Sequence, residues 1–472
     1  MSSPHESALS HYRKNKEHYL DELKTLVRIP SISFDGYPKE AVVASAEAVA
    51  GLCRKIGLDN VEVVTLKPGT HPYVVAEWNK APAGAPTLLL YAHHDVQPIG
   101  NLDLWKTPPF EPTLVDNRLF GRGTADDKAG VLVHLATIDS YLRTHGALPV
   151  NVKLVIEGEE EIGSEMLPEF LAKYRSKLDA DVLVLTDTQN FDTGHPSLTV
   201  SLRGLCTVEV EVRGLRQSVH SGMWGGPTPD VAQALSKMLA SVTDSYGRIA
   251  IPELWQMVAP LTSREREAIE SLPYSMSDYR KQAGLVPSAQ AVPCHHDHNV
   301  VQPLMQMWRE PSFSINAFEA SSRKASANII NATAWARLGL RLAPGMDPEK
   351  SMAVLKAHLK KHLPWGLEIE FKNESIGGAW STNTDHKAFD VALEALEKGY
   401  AKKASMIGCG GSIPFVAPFS EALGGIPALL IGVEDPYTNA HSENESMSIS
   451  DFHAAIESMI YFYSMAAEKL GQ

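Results

Sequence analysis

Cysteine is scarce in this sequence, and the few cysteines are scattered. The chain of 472 residues has four of them, at Cys53, Cys206, Cys294 and Cys409. None belongs to a Cys-x-x-Cys pair, so the sequence indicates neither a thiolate zinc site nor a disulfide framework. A reducing compartment fits this distribution best.

Basic residues are also fewer than acidic ones. The sequence has 43 lysines and arginines against 56 aspartates and glutamates, which gives a formal net charge of −13. This balance argues against nucleic acid and against an anionic membrane surface as partners. No apolar run approaches the roughly 18 residues that a membrane-spanning helix needs, and residues 1–19 are polar and charged. We therefore expect a cytoplasmic protein.

The length of the chain predicts two domains, because single hydrophobic cores stop growing at roughly 250–300 residues. Residues 1–203 alternate apolar strands with helices, a pattern typical of an α/β sheet. Residues 204–374 follow the order β-α-β-β-α-β of a ferredoxin-like sandwich, once an irregular stretch at 251–307 is set aside. The α/β pattern returns in residues 375–472. We predict an α/β protein with a ferredoxin-like α+β domain inserted into its first domain.

Acidic residues and histidines follow several of the predicted strands. In the segment 157–161, four carboxylates come directly after the run 152–156, which is apolar except for Lys153. Carboxylates crowded at the end of a buried strand take up protons or bind cations, and strand ends of open α/β sheets are where ligands bind. Taken alone, the segment could equally be a solvated acidic loop. Other strand-end or loop positions of this kind are His93, Asp95, Asp126, Asp127, Asp187 and His441.

His93 and Asp95 form a local pattern. Because alternate residues of an extended segment share a face, their side chains lie on the same side. Asp95 can then hold one ring nitrogen of His93 while the other binds a metal. The pair Asp126 and Asp127 precedes a predicted helix and could instead supply an N-cap and a first-turn acid. Histidines and carboxylates without cysteine suit zinc, manganese or cobalt better than a soft metal.

Several segments form one ordered set: His93-His94-Asp95-Val96-Gln97-Pro98, Gly121-Arg122-Gly123, Asp126-Asp127-Lys128, residues 157–164, Thr186-Asp187 and Ala440-His441-Ser442. In order and spacing they resemble the M20 family of dinuclear metallopeptidases. The likeness is strongest to the branch of the carnosinases and the cytosolic nonspecific dipeptidase, and it spans nearly the whole chain. The set is specific, since five ligand-type residues in order rarely occur together by chance.

The resemblance implies a zinc-peptidase-like α/β catalytic domain formed by residues 1–203 and 375–472. Residues 204–374 would form an inserted domain that acts as a lid and as the dimerisation surface. The implied cofactor is two divalent metal ions per chain, with Zn²⁺ expected and Mn²⁺ or Co²⁺ as alternatives.

The resemblance also implies roles for individual metal ligands. Asp126 would bridge the two ions. His93 and Asp187 would complete the coordination of one ion, and Glu161 and His441 that of the other. Two dications would neutralise the crowded carboxylates and would make bound water more acidic.

Two further residues of this region receive catalytic roles from the resemblance. Glu160 would be the general base, and Asp95 would orient His93. The peptide bond between Asp126 and Asp127 would be cis.

The inserted domain would contribute to the site as well. By resemblance, His220 would reach the active site of the partner subunit, and Asn328 and Arg341 would bind the substrate's oxyanion and C-terminal carboxylate. Ser412 lies in the loop 410–414, which matches a substrate loop of the family. Without the resemblance, His220 would more simply be a loop histidine and Arg341 a solvated strand residue.

The sequence departs from the pattern of the cytosolic dipeptidases in two places. It has Gly408-Cys409 where they carry Arg-Glu, and Asn331 where they carry Pro. These differences affect the substrate choice rather than the metal site. The His-rich tract 294–298 lies in the irregular stretch, and we interpret it as a surface loop, because metal-like composition alone is weak evidence.

We therefore expect a homodimeric, metal-dependent hydrolase that cleaves the amide bond of dipeptides or similar small substrates with a free C-terminal carboxylate. An N-acyl amino acid hydrolase or a carboxypeptidase of the same superfamily is the alternative enzyme. A non-catalytic, metal-bearing binding protein is the alternative of another class. Glu160 argues against that last alternative, because a binding protein gains nothing from an unliganded carboxylate beside Glu161.

Overall fold

The computed structural model describes residues 3–411, 413 and 416–471, and the chain divides into two compact units. Unit 1 comprises Met1–Val200, Thr382–Ile407 and Pro414–Gln472, and unit 2 comprises Ser201–Ser381 and Gly408–Ile413. Unit 2 is therefore inserted into unit 1 along the chain. No helix within the described ranges is long and apolar enough to cross a membrane.

The first part of unit 1 begins with helices and continues as alternating strands and helices. Its helices are α1 (Pro4–Lys14), α2 (Lys16–Val27), α3 (Lys39–Ile56), α4 (Lys128–His145) and α5 (Leu167–Tyr174). Its strands are β1 (Asp59–Val64), β2 (Tyr73–Trp78), β3 (Thr87–His93), β4 (Thr113–Val115), β5 (Arg118–Phe120), β6 (Asn151–Glu157), β7 (Val182–Leu185) and β8 (Ser197–Leu202). Strands β4 and β5 form a hairpin, because Asp116 and Asn117 adopt positive φ angles and turn the chain.

Unit 2 follows with both strands and helices. Its strands are β9 (Gly204–Arg213), β10 (Val219–His220), β11 (Ser312–Glu319), β12 (Ile329–Ile330), β13 (Thr333–Leu342), β14 (Glu368–Gly377) and β15 (Trp380–Ser381). Its helices are α6 (Ser221–Trp224), α7 (Val231–Ala240), α8 (Pro252–Trp255), α9 (Ser263–Glu270), α10 (Met276–Gln282), α11 (Pro303–Arg309) and α12 (Pro348–His362).

The prediction of an irregular stretch at 251–307 was wrong, because this stretch contains α8, α9, α10 and most of α11. Two of these helices start with a capping box, in which Thr262 pairs with Glu265 and Ser275 pairs with Asp278. Such boxes satisfy the first free N–H groups of a helix. The helices are too short for the apolar periodicity that identifies longer ones.

After unit 2 the chain completes unit 1. The remaining elements are α13 (Lys387–Tyr400), β16 (Ser405–Cys409), α14 (Val416–Ala422), β17 (Ala428–Leu430), β18 (Ser446–Ser448) and α15 (Ile449–Leu470).

One large mixed sheet is formed mainly by strands of unit 1. Its strand order is β1-β2-β6-β3-β7-β17-β8-β15, and β16 also pairs with β8. Strand β3 is parallel to both β6 and β7, and β17 is parallel to β7. Every residue of helix α4 from Lys128 to Tyr141 is buried, and α1, α3, α13 and α15 contribute to the same apolar core. The buried central strands are apolar on both faces, as expected for a covered parallel sheet.

The main sheet of unit 2 has four antiparallel strands in the order β11-β13-β9-β14. Burial alternates strictly along β9, as the sequence pattern predicts for a sheet with one wet face. The buried face packs with α7 and α12 in a separate core. This strand order and the two helices are those of a ferredoxin-like sandwich.

Candidate active site

The carboxyl ends of four strands meet at one edge of the large sheet. Along the paired strands His93 lies opposite Glu157, Tyr91 lies opposite Leu185, and Leu185 lies opposite Leu430. Because these strands are parallel and in register, the segments that follow them leave the sheet at the same edge. These segments carry the histidines and carboxylates that the sequence pattern singles out.

Two groups of potential metal ligands lie at this edge. One consists of His93, Asp127 and Asp187, and the other of Asp126, Glu161 and His441. Within each group, one ligand atom of every member lies within 4.8 Å of the others. All these residues belong to unit 1.

Asp126 connects the two groups through its two carboxylate oxygens. Its Oδ1 lies 3.0 Å from Nε2 of His93, and its Oδ2 lies 3.1 Å from Nε2 of His441. Nε2 of His93 is also 3.7 Å from Oδ1 of Asp187, and Nε2 of His441 is 3.3 Å from Oε2 of Glu161. A carboxylate with one oxygen toward each group has the geometry of a bridging ligand.

Asp127 belongs to the first group, although the sequence analysis did not assign it as a metal ligand. The peptide bond between Asp126 and Asp127 is cis, as expected from the resemblance. Oδ2 of Asp127 accepts a hydrogen bond of 3.2 Å from the backbone N–H of His93. A Cβ at Gly130 would lie 2.1 Å from Oδ1 of Asp127 and 2.3 Å from Oγ1 of Thr186. The carboxylate therefore needs a residue without a side chain one turn along α4.

Asp95 links His93 to the acidic turn after β6. Nδ1 of His93 lies 3.4 Å from Oδ1 and 3.1 Å from the backbone carbonyl oxygen of Asp95. The carboxylate accepts backbone hydrogen bonds from Glu160 at 3.2 Å and Glu161 at 3.1 Å. Burial acts to raise the pKa of Asp95, but the contacts with His93 and Ser33 lower it below its usual value. The anionic carboxylate thus fixes both the ring and the turn.

The four glutamates after β6 divide into two pairs by their partners. Glu157 accepts hydrogen bonds from the hydroxyls of Tyr91 at 2.6 Å and Tyr73 at 3.1 Å, and burial raises its pKa to about 7. Glu159 accepts from Tyr73 at 2.7 Å and from the backbone of Met166 at 2.7 Å. Both carboxylates therefore accept hydrogen bonds from tyrosine hydroxyls. The sequence did not reveal these contacts, because Tyr73 lies on β2 and Tyr91 lies on β3.

Glu161 instead belongs to a ligand group, and Glu160 precedes it directly in the chain. Burial, together with the negative charges of Asp187 and Asp126, raises the pKa of Glu160 well above its usual range. Burial and the charge of Asp126 do the same to the pKa of Glu161. Carboxylates this crowded take up protons or bind cations.

The donor set fits two divalent metal ions. Across the described residues, Nε2 of His93 and Oδ1 of Asp127 are buried atoms without a hydrogen-bond partner. Buried polar atoms left without partners are costly unless an ion or a water satisfies them. Imidazole nitrogens and carboxylate oxygens are the ligands that zinc, manganese and cobalt accept.

Gln97 fixes Glu161, and this contact was not predicted. The side-chain amide of Gln97 donates to Oε2 of Glu161 at 2.7 Å, and its backbone N–H donates to Oε1 at 3.0 Å. Both oxygens of the carboxylate are thereby oriented. The residue belongs to the segment that resembles the family motif, but its partner lies 64 positions further along the chain.

Glu445 fixes the loop that carries Asp126. Its Oε1 accepts from the backbone N–H groups of Ala125 and Asp126 at 3.1 and 3.2 Å, and its Oε2 accepts from Gly123 at 3.1 Å. Nη1 of Arg122 donates to Oε2 at 2.7 Å. Four donors thus converge on one buried carboxylate.

The predicted residues of unit 2 occur in two places. His220 is exposed, and its Nδ1 accepts hydrogen bonds from the backbone of Gly222 and Met223 at 3.1 and 3.3 Å. The backbone oxygen of Asn328 accepts from Ser221 at 2.9 Å, so Asn328 lies beside this loop. Because Nδ1 is an acceptor, the neutral ring carries its proton on Nε2.

Arg341 lies in β13, opposite Ser312 of β11. Oγ of Ser312 accepts a hydrogen bond of 3.1 Å from Nη1 of Arg203, whose Nε donates to the backbone oxygen of Gly410 at 3.1 Å. Burial and the nearby charge of Arg341 lower the pKa of Arg203 to about 10. Unit 2 thus holds two guanidinium groups close together. Ser412 lies outside the described residues.

The His-rich tract 294–298 forms no group of three potential ligands among the residues that the structure describes. His295 instead stacks on Trp255, with 3.5 Å between the ring centroids. Sγ of Cys294 donates to the backbone oxygen of Asp297 at 3.4 Å.

Comparison with known proteins gives a family match over most of the chain. Residues 89–464 match the peptidase family M20/M25/M40. The Cys-Gly metallodipeptidase dug1 of Schizosaccharomyces pombe is 30% identical over 464 residues, which cover 94% of this chain and 94% of the relative.

Two solved structures are similar over nearly their whole length. The structure of human carnosine dipeptidase 1 has a TM-score of 0.82 at 25% identity, covering 99% of each chain. That of the M20 family metallo-carboxypeptidase Sso-CP2 from Sulfolobus solfataricus has a TM-score of 0.80 at 28% identity, covering 95% of this chain and 99% of the other.

The chain therefore belongs to peptidase family M20/M25/M40, and the resemblance seen in its motifs is confirmed. Its α/β fold is that of these relatives.

Proposed function

We propose that this enzyme hydrolyses the amide bond of dipeptides, or of similarly small peptide-like substrates, that have a free C-terminal carboxylate. The observation that carries the proposal is the pair of ligand groups joined through Asp126, with Glu160 directly before the ligand-group residue Glu161 in the chain. The names of two relatives, a Cys-Gly metallodipeptidase and a carnosine dipeptidase, support dipeptides as the substrate class.

Two divalent cations would be held by the edge of the large sheet. His93, Asp126 and Asp187 would hold one ion, and Asp126, Glu161 and His441 the other. Zn²⁺ is the expected metal, with Mn²⁺ or Co²⁺ as alternatives. Bound ions would polarise the substrate carbonyl and would make the attacking water more acidic. Asp95 and Asp127 would orient His93 through its ring and its backbone.

Glu160 would act as the general base. Glu157 and Glu159 have tyrosine hydroxyls as partners, whereas Glu161 belongs to a ligand group, so Glu160 is the carboxylate left for proton transfer. It would take the proton of the attacking water and then give it to the leaving amine.

Unit 2 would bind the substrate. His220 would donate from Nε2 to the scissile carbonyl, since its Nδ1 is occupied as an acceptor. We propose that it does so in the partner subunit of a homodimer. Asn328 would support the same oxygen, Arg341 would bind the C-terminal carboxylate, and Ser412 would contact the substrate through its loop.

A cytoplasmic location is the part of the proposal that rests on cysteine chemistry. None of the four cysteines, all of which are described, forms a disulfide. Buried unpaired thiols such as Cys53 are typical of proteins from reducing compartments.

The proposal is tested by metal analysis followed by turnover measurements. The purified enzyme is incubated with a panel of dipeptides, N-acetyl amino acids and longer peptides, with and without a chelator. Chelator-sensitive cleavage of dipeptides is the expected result. Preferential cleavage of N-acetyl amino acids or of longer peptides would favour the N-acyl hydrolase or the carboxypeptidase. Bound metal without any cleavage would favour a binding protein.

A further inference from the structure

Unit 2 contains a cavity of about 610 Å³ that has no part in the proposed catalytic scheme. Helices α8, α9 and α11, with the tract 294–302 between them, contribute its walls. Small-molecule sites commonly have volumes of about 300–1,000 Å³. The size of the cavity is therefore that of a ligand site.

A buried arginine in the cavity wall has unused hydrogen-bond donors. Arg309, at the end of α11, is 5% exposed. Within the described part of the chain, neither its Nε nor its Nη1 has a hydrogen-bond partner. Nη1 lies 3.4 Å from Oε1 of Glu265, whose other oxygen accepts hydrogen bonds from Thr262 in the capping box of α9. The guanidinium thus lines the cavity with one ionic neighbour, Glu265.

Acidic groups line the same cavity. Glu310 follows Arg309 directly, and Asp297 belongs to the tract 294–302 of the cavity wall. Burial raises the pKa of the Glu310 carboxyl, against the opposing effects of the His295 backbone and the His296 ring. A cavity with both signs of charge disfavours a polyanion and favours a ligand that is itself a zwitterion.

The rest of the lining is apolar. Val258, Leu261 and Met305 line the cavity together with Trp255, whose ring is stacked against His295. Such a surface accommodates a hydrocarbon or aromatic group, while the few charged groups fix its orientation.

We propose that this cavity binds a free amino acid with an apolar side chain, with its carboxylate at Arg309 and its ammonium group near Glu310 and Asp297. A planar guanidinium is well suited to a carboxylate. The inference concerns unit 2 alone and stands without the proposed function. If the proposed function is also correct, the ligand belongs to the class of compounds that the reaction releases.

The test measures binding of L-phenylalanine to the full-length chain by isothermal titration calorimetry. The chain carries Arg341→Ala, so that the proposed carboxylate site of the catalytic scheme is removed. Saturable binding of one equivalent is expected. Phenylpropionate, which lacks the ammonium group, and phenethylamine, which lacks the carboxylate, should each bind at least about tenfold more weakly.

Two variants and a control locate the site. Arg309→Lys should weaken binding at least about tenfold, because lysine lacks the planar donors. Val300→Trp should do the same by filling the cavity, since Val300 lines it and is 37% exposed. If Arg309→Lys does not fold, this second variant still tests the proposal. Arg337→Lys, at an exposed arginine also 3.4 Å from a glutamate, should leave binding unchanged.

Three results would overturn the proposal. They are absence of saturable binding up to about 10 mM, equal affinity in the Val300→Trp variant, and equal affinity for phenylpropionate. The calorimetric measurement requires no turnover. Its result can therefore be interpreted even if the dipeptidase assay fails.

Discussion

Arg122 and Glu445 form a buried ion pair with 2.7 Å between Nη1 and Oε2, although 323 positions separate them. They come together because β5 pairs with β18, which places Phe120 opposite Ser446. Nη2 of Arg122 also donates to the backbone oxygens of Pro98 and Ser442, at 2.9 and 3.1 Å. The pair thus joins the loops that carry Asp126 and His441 to the segment after β3.

We predict that Glu445→Gln destabilises the protein by about 3–5 kcal/mol, because a buried guanidinium loses its counter-charge. Urea unfolding of the metal-free protein measures this loss. Glu62→Gln breaks an exposed ion pair with Lys177 and should change the stability by no more than about 1 kcal/mol. If Glu445→Gln lowers the free energy of unfolding no more than Glu62→Gln does, the ion pair of Arg122 and Glu445 contributes little to stability.

Asp126→Ala should abolish binding of both metal ions, because one carboxylate serves both ligand groups. Asp187→Ala, which affects one group only, should still bind one ion. Inductively coupled plasma mass spectrometry after dialysis gives the stoichiometry of each. A full equivalent of metal retained in Asp126→Ala would contradict the shared bridge.

Glu160→Gln should retain the metal and lower kcat by about a hundredfold or more, the usual cost of losing a general base. Glu159→Gln is the matched control, since an amide oxygen can still accept from Tyr73 and Met166. Its kcat should fall much less. Comparable rates for Glu160→Gln and wild type would assign the base to another residue.

Mixing His220→Ala chains with Glu160→Gln chains should restore activity if His220 acts in the partner subunit. In a heterodimer both defects then fall in one site and leave the other intact. Activity is measured after denaturation and joint refolding, with each variant alone as the control. Exchange of subunits without recovery of activity would mean that His220 acts within its own chain or has no catalytic role.

Arg341→Ala should impair cleavage of a dipeptide acid severely and should affect the corresponding C-terminal amide little. For the wild type, amidation should cost about 2–4 kcal/mol in kcat/KM, since a charged partner is left unpaired. Steady-state kinetics on both substrates provide the comparison. Equal losses on acid and amide would indicate that Arg341 has a structural role.

The hydrophobic pattern and the order of the strands were enough to predict the strands themselves and the meeting of their ends at one edge of the sheet. The strands before His93, Glu157 and Asp187 are apolar enough to be recognised, and parallel strands bring their ends together. The prediction that Asp126 bridges two ions came from the family resemblance, since the residues alone also allowed an N-cap.

Contacts between distant segments could not be predicted in this way. The role of Asp127 depends on the backbone geometry before α4, and those of Gln97 and Glu445 depend on partners brought together by the completed fold. Local signals were also overlooked. Helix α1 follows Ser3, whose backbone N–H donates to Glu6 at 2.8 Å, and Pro4 stands in its first turn.

The position of β17 has a consequence for synthesis of the protein. This strand lies between β7 and β8, which precede it by more than two hundred residues and flank it in the finished sheet. A nascent chain therefore carries an unfilled place beside β7 until residues 428–430 leave the ribosome, and by then all of Ser201–Ser381 has been made. Because unpaired strand edges promote aggregation, chains that terminate early would depend on chaperones more than the completed protein does.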